Sequence, residues 1–183
     1  MRMKRFGMSL GVAVIVAALA GGAPAIGQDS TSALRGHNTN APVDVAADRI
    51  EVQDRADRAI FSGNVVVRQD ALTLNAARLT VAYSDTGGVQ IERLDASGGV
   101  TVRSPSETAR GQYAIYDLND RLITLVGGVV LTRGESQVRG GRLVLDLDSG
   151  RAVMDGGARA PAGTSTDTGG RVTGTFTVPQ KRD

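Results

Sequence analysis

Cysteine is absent from the 183 residues, and so is tryptophan. Without cysteine there is no disulfide framework, no thiolate nucleophile and no sulfur ligand for a metal. Stability must then come from packing and strand pairing. Aromatic residues make up 3% of the chain, so the 41% hydrophobic content is carried by Val, Leu, Ile and Ala, and Val favours strands. The single histidine, His37, excludes a two-histidine metal site and leaves Ser and Thr without a plausible general base. Proline is scarce, five residues against 24 glycines. That balance suits many turns and sharp bends rather than a disordered tract.

A basic excess is also lacking once the N-terminus is set aside. The sequence pI of about 9.4 invites a nucleic-acid reading. Arg2, Lys4 and Arg5, however, fall within residues 1–27, which hold no acid; without that segment 18 basic residues face 19 acidic ones. No surplus of cations remains to displace counterions from phosphates, so a nucleic-acid partner is not expected.

Residues 1–27 read as a signal peptide. Met1–Arg5 is basic, Phe6–Ala20 is an uncharged, largely apolar run, and Gly21-Gly22-Ala23-Pro24-Ala25 supplies small residues around a cleavage site. The run is shorter than the roughly 20 apolar residues of a bilayer span, which argues against a retained membrane anchor. Residues 28–41, rich in Ser, Thr, Asn and Gly, read as a flexible leader.

A repeat dominates the remainder. Gly63, Gly98, Gly127 and Gly156 are spaced by 35, 29 and 29 residues. Phe61, Ala96, Leu125 and Met154 stand two positions before them. The first three lead into Val65-Val66-Val67, Val100-Thr101-Val102 and Val129-Val130-Leu131. Sixteen, eighteen and twenty residues after these three glycines come alternating triplets: Leu79, Val81 and Tyr83; Ala114, Tyr116 and Leu118; Leu143, Leu145 and Leu147. A small residue, Ala76, Gly111 or Gly140, precedes each triplet by three positions. The phase extends back to Ile50 and Val52 and forward to Val172 and Phe176. Alternation with a period of two means strands with one apolar face, and Asp85-Thr86-Gly87-Gly88, Asn119-Asp120 and Asp148-Ser149-Gly150 read as turns. Each repeat of about 29 residues thus holds two strands of roughly eight to ten residues, with the recurrent glycine at a bend. The predicted fold is all-β: an elongated, β-solenoid-like stack of antiparallel strands.

Chemistry is sparse. The acids Asp44, Asp48, Glu51, Asp117, Asp146 and Asp148 fall on the polar phase or at turns, and Gly87-Gly88, Gly140-Gly141 and Gly169-Gly170 lack the strand-to-helix context of a phosphate loop. No catalytic residue, metal site or cofactor is predicted.

The run Ala41-Pro42-Val43-Asp44-Val45-Ala46-Ala47-Asp48, followed by Phe61-Ser62-Gly63-Asn64-Val65-Val66-Val67, resembles the start of the OstA-like domain. Arg171-Val172-Thr173-Gly174-Thr175-Phe176 with Pro179 resembles its end. Residues 42–179 are therefore similar to the LptA/OstA-like family of periplasmic lipopolysaccharide-transport proteins, with residues 180–183 as a short tail. The resemblance implies an open jelly roll whose interior shields lipid A acyl chains. It further implies a bridge, by head-to-tail self-association, from the periplasmic domain of an inner-membrane exporter to the N-terminal domain of an outer-membrane translocon. The family's lipid contacts match Val43 and Val45 near one end, and Val102, Tyr116 and Leu118 further along. The inward phase of the repeat adds Ile50, Val65, Val67, Leu79, Val81, Val100, Leu125, Leu131, Leu145 and Leu147 as candidate lipid-facing residues. Two other readings share the pattern: a membrane-anchored relative of the same transport system, and a structural β-solenoid with no lipid ligand.

Overall fold

A computed structural model describes residues 37–85, 87–157 and 170–177, and every structural statement below concerns these. Residues 1–27, 28–36 and 180–183, and hence the signal peptide, most of the leader and the tail, lie outside them.

Ten strands form one antiparallel sheet. They are β1 (Asp44–Ala46), β2 (Arg49–Gln53), β3 (Arg58–Gln69), β4 (Leu72–Ser84), β5 (Gln90–Arg103), β6 (Glu107–Asp117), β7 (Leu122–Arg133), β8 (Ser136–Asp146), β9 (Arg151–Asp155) and β10 (Thr173–Thr175). From β3 to β8 the chain is a plain meander in which each strand pairs with the next. At one end β1 and β2 both pair with β3; at the other β9 and β10 both pair with β8.

The central strands run 11 to 14 residues, longer than the repeat predicts. The reason is that the recurrent glycine bends a strand without ending it. Besides a shift at Ala82/Tyr83 beside the β4–β5 turn, register shifts occur at Ser62/Val65, Asn75/Arg78, Ser97/Val100, Arg110/Tyr113 and Val126/Val129, one in each pair from β3–β4 to β7–β8. They line up across the sheet as a crease. On β3, β5 and β7 the crease holds two successive residues with positive φ: Gly63 and Asn64, Gly98 and Gly99, Gly127 and Gly128. Left-handed backbone is cheap for glycine and tolerable for asparagine, which is why these residue types recur there. Gly156 departs from the expected equivalence. Its φ is not positive; it is small because a Cβ there would run into the Gly170 carbonyl.

The crease divides the sheet into two half-sheets. The first holds β2, the early part of β3, the late part of β4 and so on to β9. The second holds β1, the late part of β3, the early part of β4 and so on to β10. Folded along the crease, their apolar faces meet: Leu145 of the first lines one small void with Val102, Ala109 and Leu131 of the second. A continuous cluster from Ala59 to Leu147 fills the space between. Opposite the crease the two half-sheets are not joined by strand pairing, so that side is the mouth. The last strand, β10, covers Thr173–Thr175, within the stretch from Val172 to Phe176 to which the repeat phase extends.

Candidate functional site

Cross-strand register carries the alternating triplets into rows that run the length of the sheet. Nearest the crease, the first half-sheet aligns Ile50, Phe61, Leu79, Ala96, Ala114, Leu125, Leu143 and Met154. The next row aligns Val52, Ala59, Val81, Leu94, Tyr116, Ile123, Leu145 and Ala152. On the second half-sheet Val45, Val67, Leu74, Val102, Ala109, Leu131 and Val138 form the facing row. The alternate phase is mixed, with Glu51, Thr80, Asp95 and Thr124 alongside Ile60, Ile115, Val144 and Val153, and a one-residue slip would reverse the two faces.

The rows bring most of the sequence-derived candidates together. Val65, Val67, Leu79, Val81, Val100, Val102, Tyr116, Leu125, Leu145 and Leu147 lie in the core, each 5% exposed or less. Val43, Val45, Leu118 and Leu131 are half-buried against that core. Ile50 shares the inward phase but not the burial: it is 55% exposed, and Val52 beside it 56%. At the far end Phe176 is 69% exposed. The apolar face therefore runs from end to end and is left uncovered at both ends.

The interior is packed shut. The void between Leu145 and Val102 measures about 10 Å³, room for roughly one water.

Two buried polar residues were not singled out by the sequence. Glu107, 5% exposed, opens β6 and pairs with Arg133 of β7, whose Nε donates to Oε1 at 2.6 Å. Gln69, the last residue of β3, is 2% exposed, and its Oε1 accepts the Tyr116 hydroxyl at 2.7 Å across the two half-sheets. Burial, partly offset by this hydrogen bond, pushes the Tyr116 phenol up to about 12. Both residues stand on the inward phase, and a polar residue at an apolar position is the one signal that could have found them. Of the other predicted residues, Leu118 and Leu147 sit at hairpin ends, where their N–H groups donate to the Glu92 and Arg121 carbonyls at 3.0 Å each.

Among the described residues no group of three His, Asp or Glu could hold a metal ion, and no helix is long and apolar enough to cross a membrane. What the arrangement offers is two apolar sheet faces packed on each other, with no strand pairing between them opposite the crease among the described residues.

Comparison with known proteins points the same way. A crystal structure of LptH, the LptA homologous periplasmic component of the lipopolysaccharide transport device of Pseudomonas aeruginosa, superposes with a TM-score of 0.63. The match covers 77% of this chain and 99% of that one at 19% identity, a likeness of fold. An uncharacterized protein of Rhizobium meliloti (strain 1021) is 33% identical over 131 residues, 67% of this chain and 70% of the relative. The profile of the family described as LptA/(LptD N-terminal domain) LPS transport protein matches residues 44–151, more than half of the chain. The creased all-β sheet and the sequence match agree: this chain belongs to the LptA/LptD N-terminal family, whose members are lipopolysaccharide-transport proteins rather than enzymes.

Proposed function

We propose that this protein is a periplasmic lipopolysaccharide carrier that takes the lipid A acyl chains between its two half-sheets. In this reading it also joins head to tail with further copies and with similar domains, spanning from an inner-membrane exporter to an outer-membrane translocon. The observation that carries the reading is the inward apolar face, interrupted at Gln69 and Glu107 and uncovered at Ile50 and Val52 on one end and at Phe176 on the other. Each methylene shielded from water contributes roughly 0.8 kcal/mol, so a chain of about twelve carbons exposes on the order of 10 kcal/mol of unfavourable contact in an aqueous compartment. A small polar pocket cannot offset that; a sleeve of Val and Leu can. Such a sleeve forms few directional bonds, which lets a chain slide along it.

The uncovered ends fit assembly. β2 and β9, like β1 and β10, have no further described strand on their outer sides, and free strand edges pair readily with another sheet. A contact of one end with the other does not close, so it extends.

The test is photo-crosslinking in cells. A crosslinking residue at Val102, Tyr116 or Leu118 captures lipopolysaccharide, while one at Tyr113, exposed on the outer face of the same strand as Tyr116, does not. Equal capture at both faces overturns the carrier reading in favour of a structural sheet with no lipid.

A further inference from the structure

The mouth carries a feature outside the strands of the sheet. Residues 37–41, at the end of the stretch expected to be a flexible leader, fold over the β3–β4 hairpin. Gln69 organises them: its Nε2 donates to the carbonyls of Thr39 at 2.9 Å and Ala41 at 3.0 Å. Its Oε1 accepts the Tyr116 hydroxyl from the opposite half-sheet and lies 3.3 Å from His37 Nε2. The His37 side chain is 2% exposed, with Nδ1 3.7 Å from the Asp70 carboxylate. The Asn38 N–H donates to Asp70 Oδ2 at 3.1 Å, and the Asn38 carboxamide oxygen accepts from Asn40 N–H at 3.1 Å. Two backbone bonds, Thr39 N–H to the His37 carbonyl and Ala41 N–H to the Asn38 carbonyl, close the turn.

The segment is thus tied to the second half-sheet through Gln69 and Asp70, and to the first through the Gln69–Tyr116 bond. We propose that His37–Ala41 is a strap that closes the mouth over Tyr116 when the interior is empty, that Gln69 is its latch, and that an entering acyl chain displaces it. The proposal rests on the carrier reading. Most contacts between the half-sheets are apolar, and methylenes of a lipid replace them like for like. Hydrogen bonds are different. An acyl chain against Tyr116 and Gln69 has no group to offer either, and a buried polar group without a partner is costly. Gln69 escapes that cost only by turning outward to water, and when it turns it drops Thr39, Ala41 and His37 together. Loading and strap release are then one event, and the latch sets how readily a chain enters.

Amide hydrogen exchange tests this on the mature chain, with purified lipopolysaccharide as the probe and native mass spectrometry to verify that it is bound. Bound lipid accelerates exchange at residues 38–41 at least tenfold, while amides of β5 and β6 stay protected. Gln69→Leu releases the strap without lipid and speeds loading on the order of tenfold, the scale of about one hydrogen bond. Asp70→Gly, at an exposed position whose φ of +48° glycine accepts without strain, releases the strap from outside and guards against a folding defect in the first variant. Bound lipid with residues 38–41 still protected overturns the strap and leaves the carrier reading standing. Absence of any binding by the wild-type chain overturns both.

Discussion

The centre and the ends of the sheet carry the same sequence pattern and have opposite fates. Leu79 and Leu125 in the centre and Ile50 at the N-terminal end lie in one cross-strand row, on the same face, in the same phase. Leu79 and Leu125 are fully buried; Ile50 is more than half exposed. The difference lies in what stands beyond. A central strand has a neighbour on each side and the opposing half-sheet above it, whereas β2 has β3 on one side and no described strand on the other. The ends therefore expose the apolar positions that the centre buries.

This contrast sets the largest expected effect. Leu125→Ala empties a sealed site and destabilises the protein by about 2–5 kcal/mol. Val52→Asp, at the end, changes the stability of the monomer by less than about 1 kcal/mol, yet abolishes concentration-dependent self-association. Urea denaturation and sedimentation over a wide concentration range read the two quantities separately. A large stability loss from Val52→Asp would mean that the end is a finished part of the monomer.

The crease offers a narrower comparison, between two adjacent glycines of equal φ. Gly98 and Gly99 both stand at +83°. A Cβ on Gly98 would lie 2.6 Å from the Ala77 Cβ, while one on Gly99 meets nothing within 4 Å. Gly99→Ala costs backbone strain alone, about 1–2 kcal/mol. Gly98→Ala adds the clash with β4, and we expect it to cost at least about 1 kcal/mol more. Asn64 occupies on β3 the place of Gly99 on β5, so Gly99→Asn costs less than Gly99→Ala. Thermal melts of the three variants give the order; equal losses at 98 and 99 would show that the corner flexes to accept a side chain.

Much of this architecture is legible in the sequence because its two signals are local. Alternation with a period of two fixes the inward face, so Leu79, Val81, Leu143, Leu145 and Leu147 take their expected places. A glycine at fixed phase marks the crease, since residues that accept positive φ are few. Exposure at Ile50 was illegible, because nothing in residues 49–53 states whether another strand follows. The strap was hidden for a different reason. Its Ser, Thr and Asn-rich surroundings have the composition of a mobile leader, and its order depends on Gln69, some thirty residues away in sequence. Glu107 and Gln69 each break the apolar phase once, and a single break is easily read as noise.

The smallest expected effect concerns the mouth and is seen in alkali. Tyr116 is held neutral by its buried site, its pKa pushed up to about 12, against about 10 in an unfolded chain. Below pH of about 10 both states keep the proton, and its contribution to stability is fully present. Between about 10 and 12 the unfolded chain releases the proton while the folded one retains it, so stability falls as pH rises. Tyr83, raised by desolvation and by nearby Asp54, Asp57 and Asp85, acts in the same direction from the lip of the first half-sheet. Tyr116→Phe removes the larger of the two contributions and flattens the fall. Urea denaturation at several pH values between about 9 and 11 measures the slope, which the lost Gln69 hydrogen bond, a constant offset in that range, does not mimic. An unchanged slope in Tyr116→Phe would mean that water reaches this phenol, and that the mouth stands open over Tyr116 even without lipid.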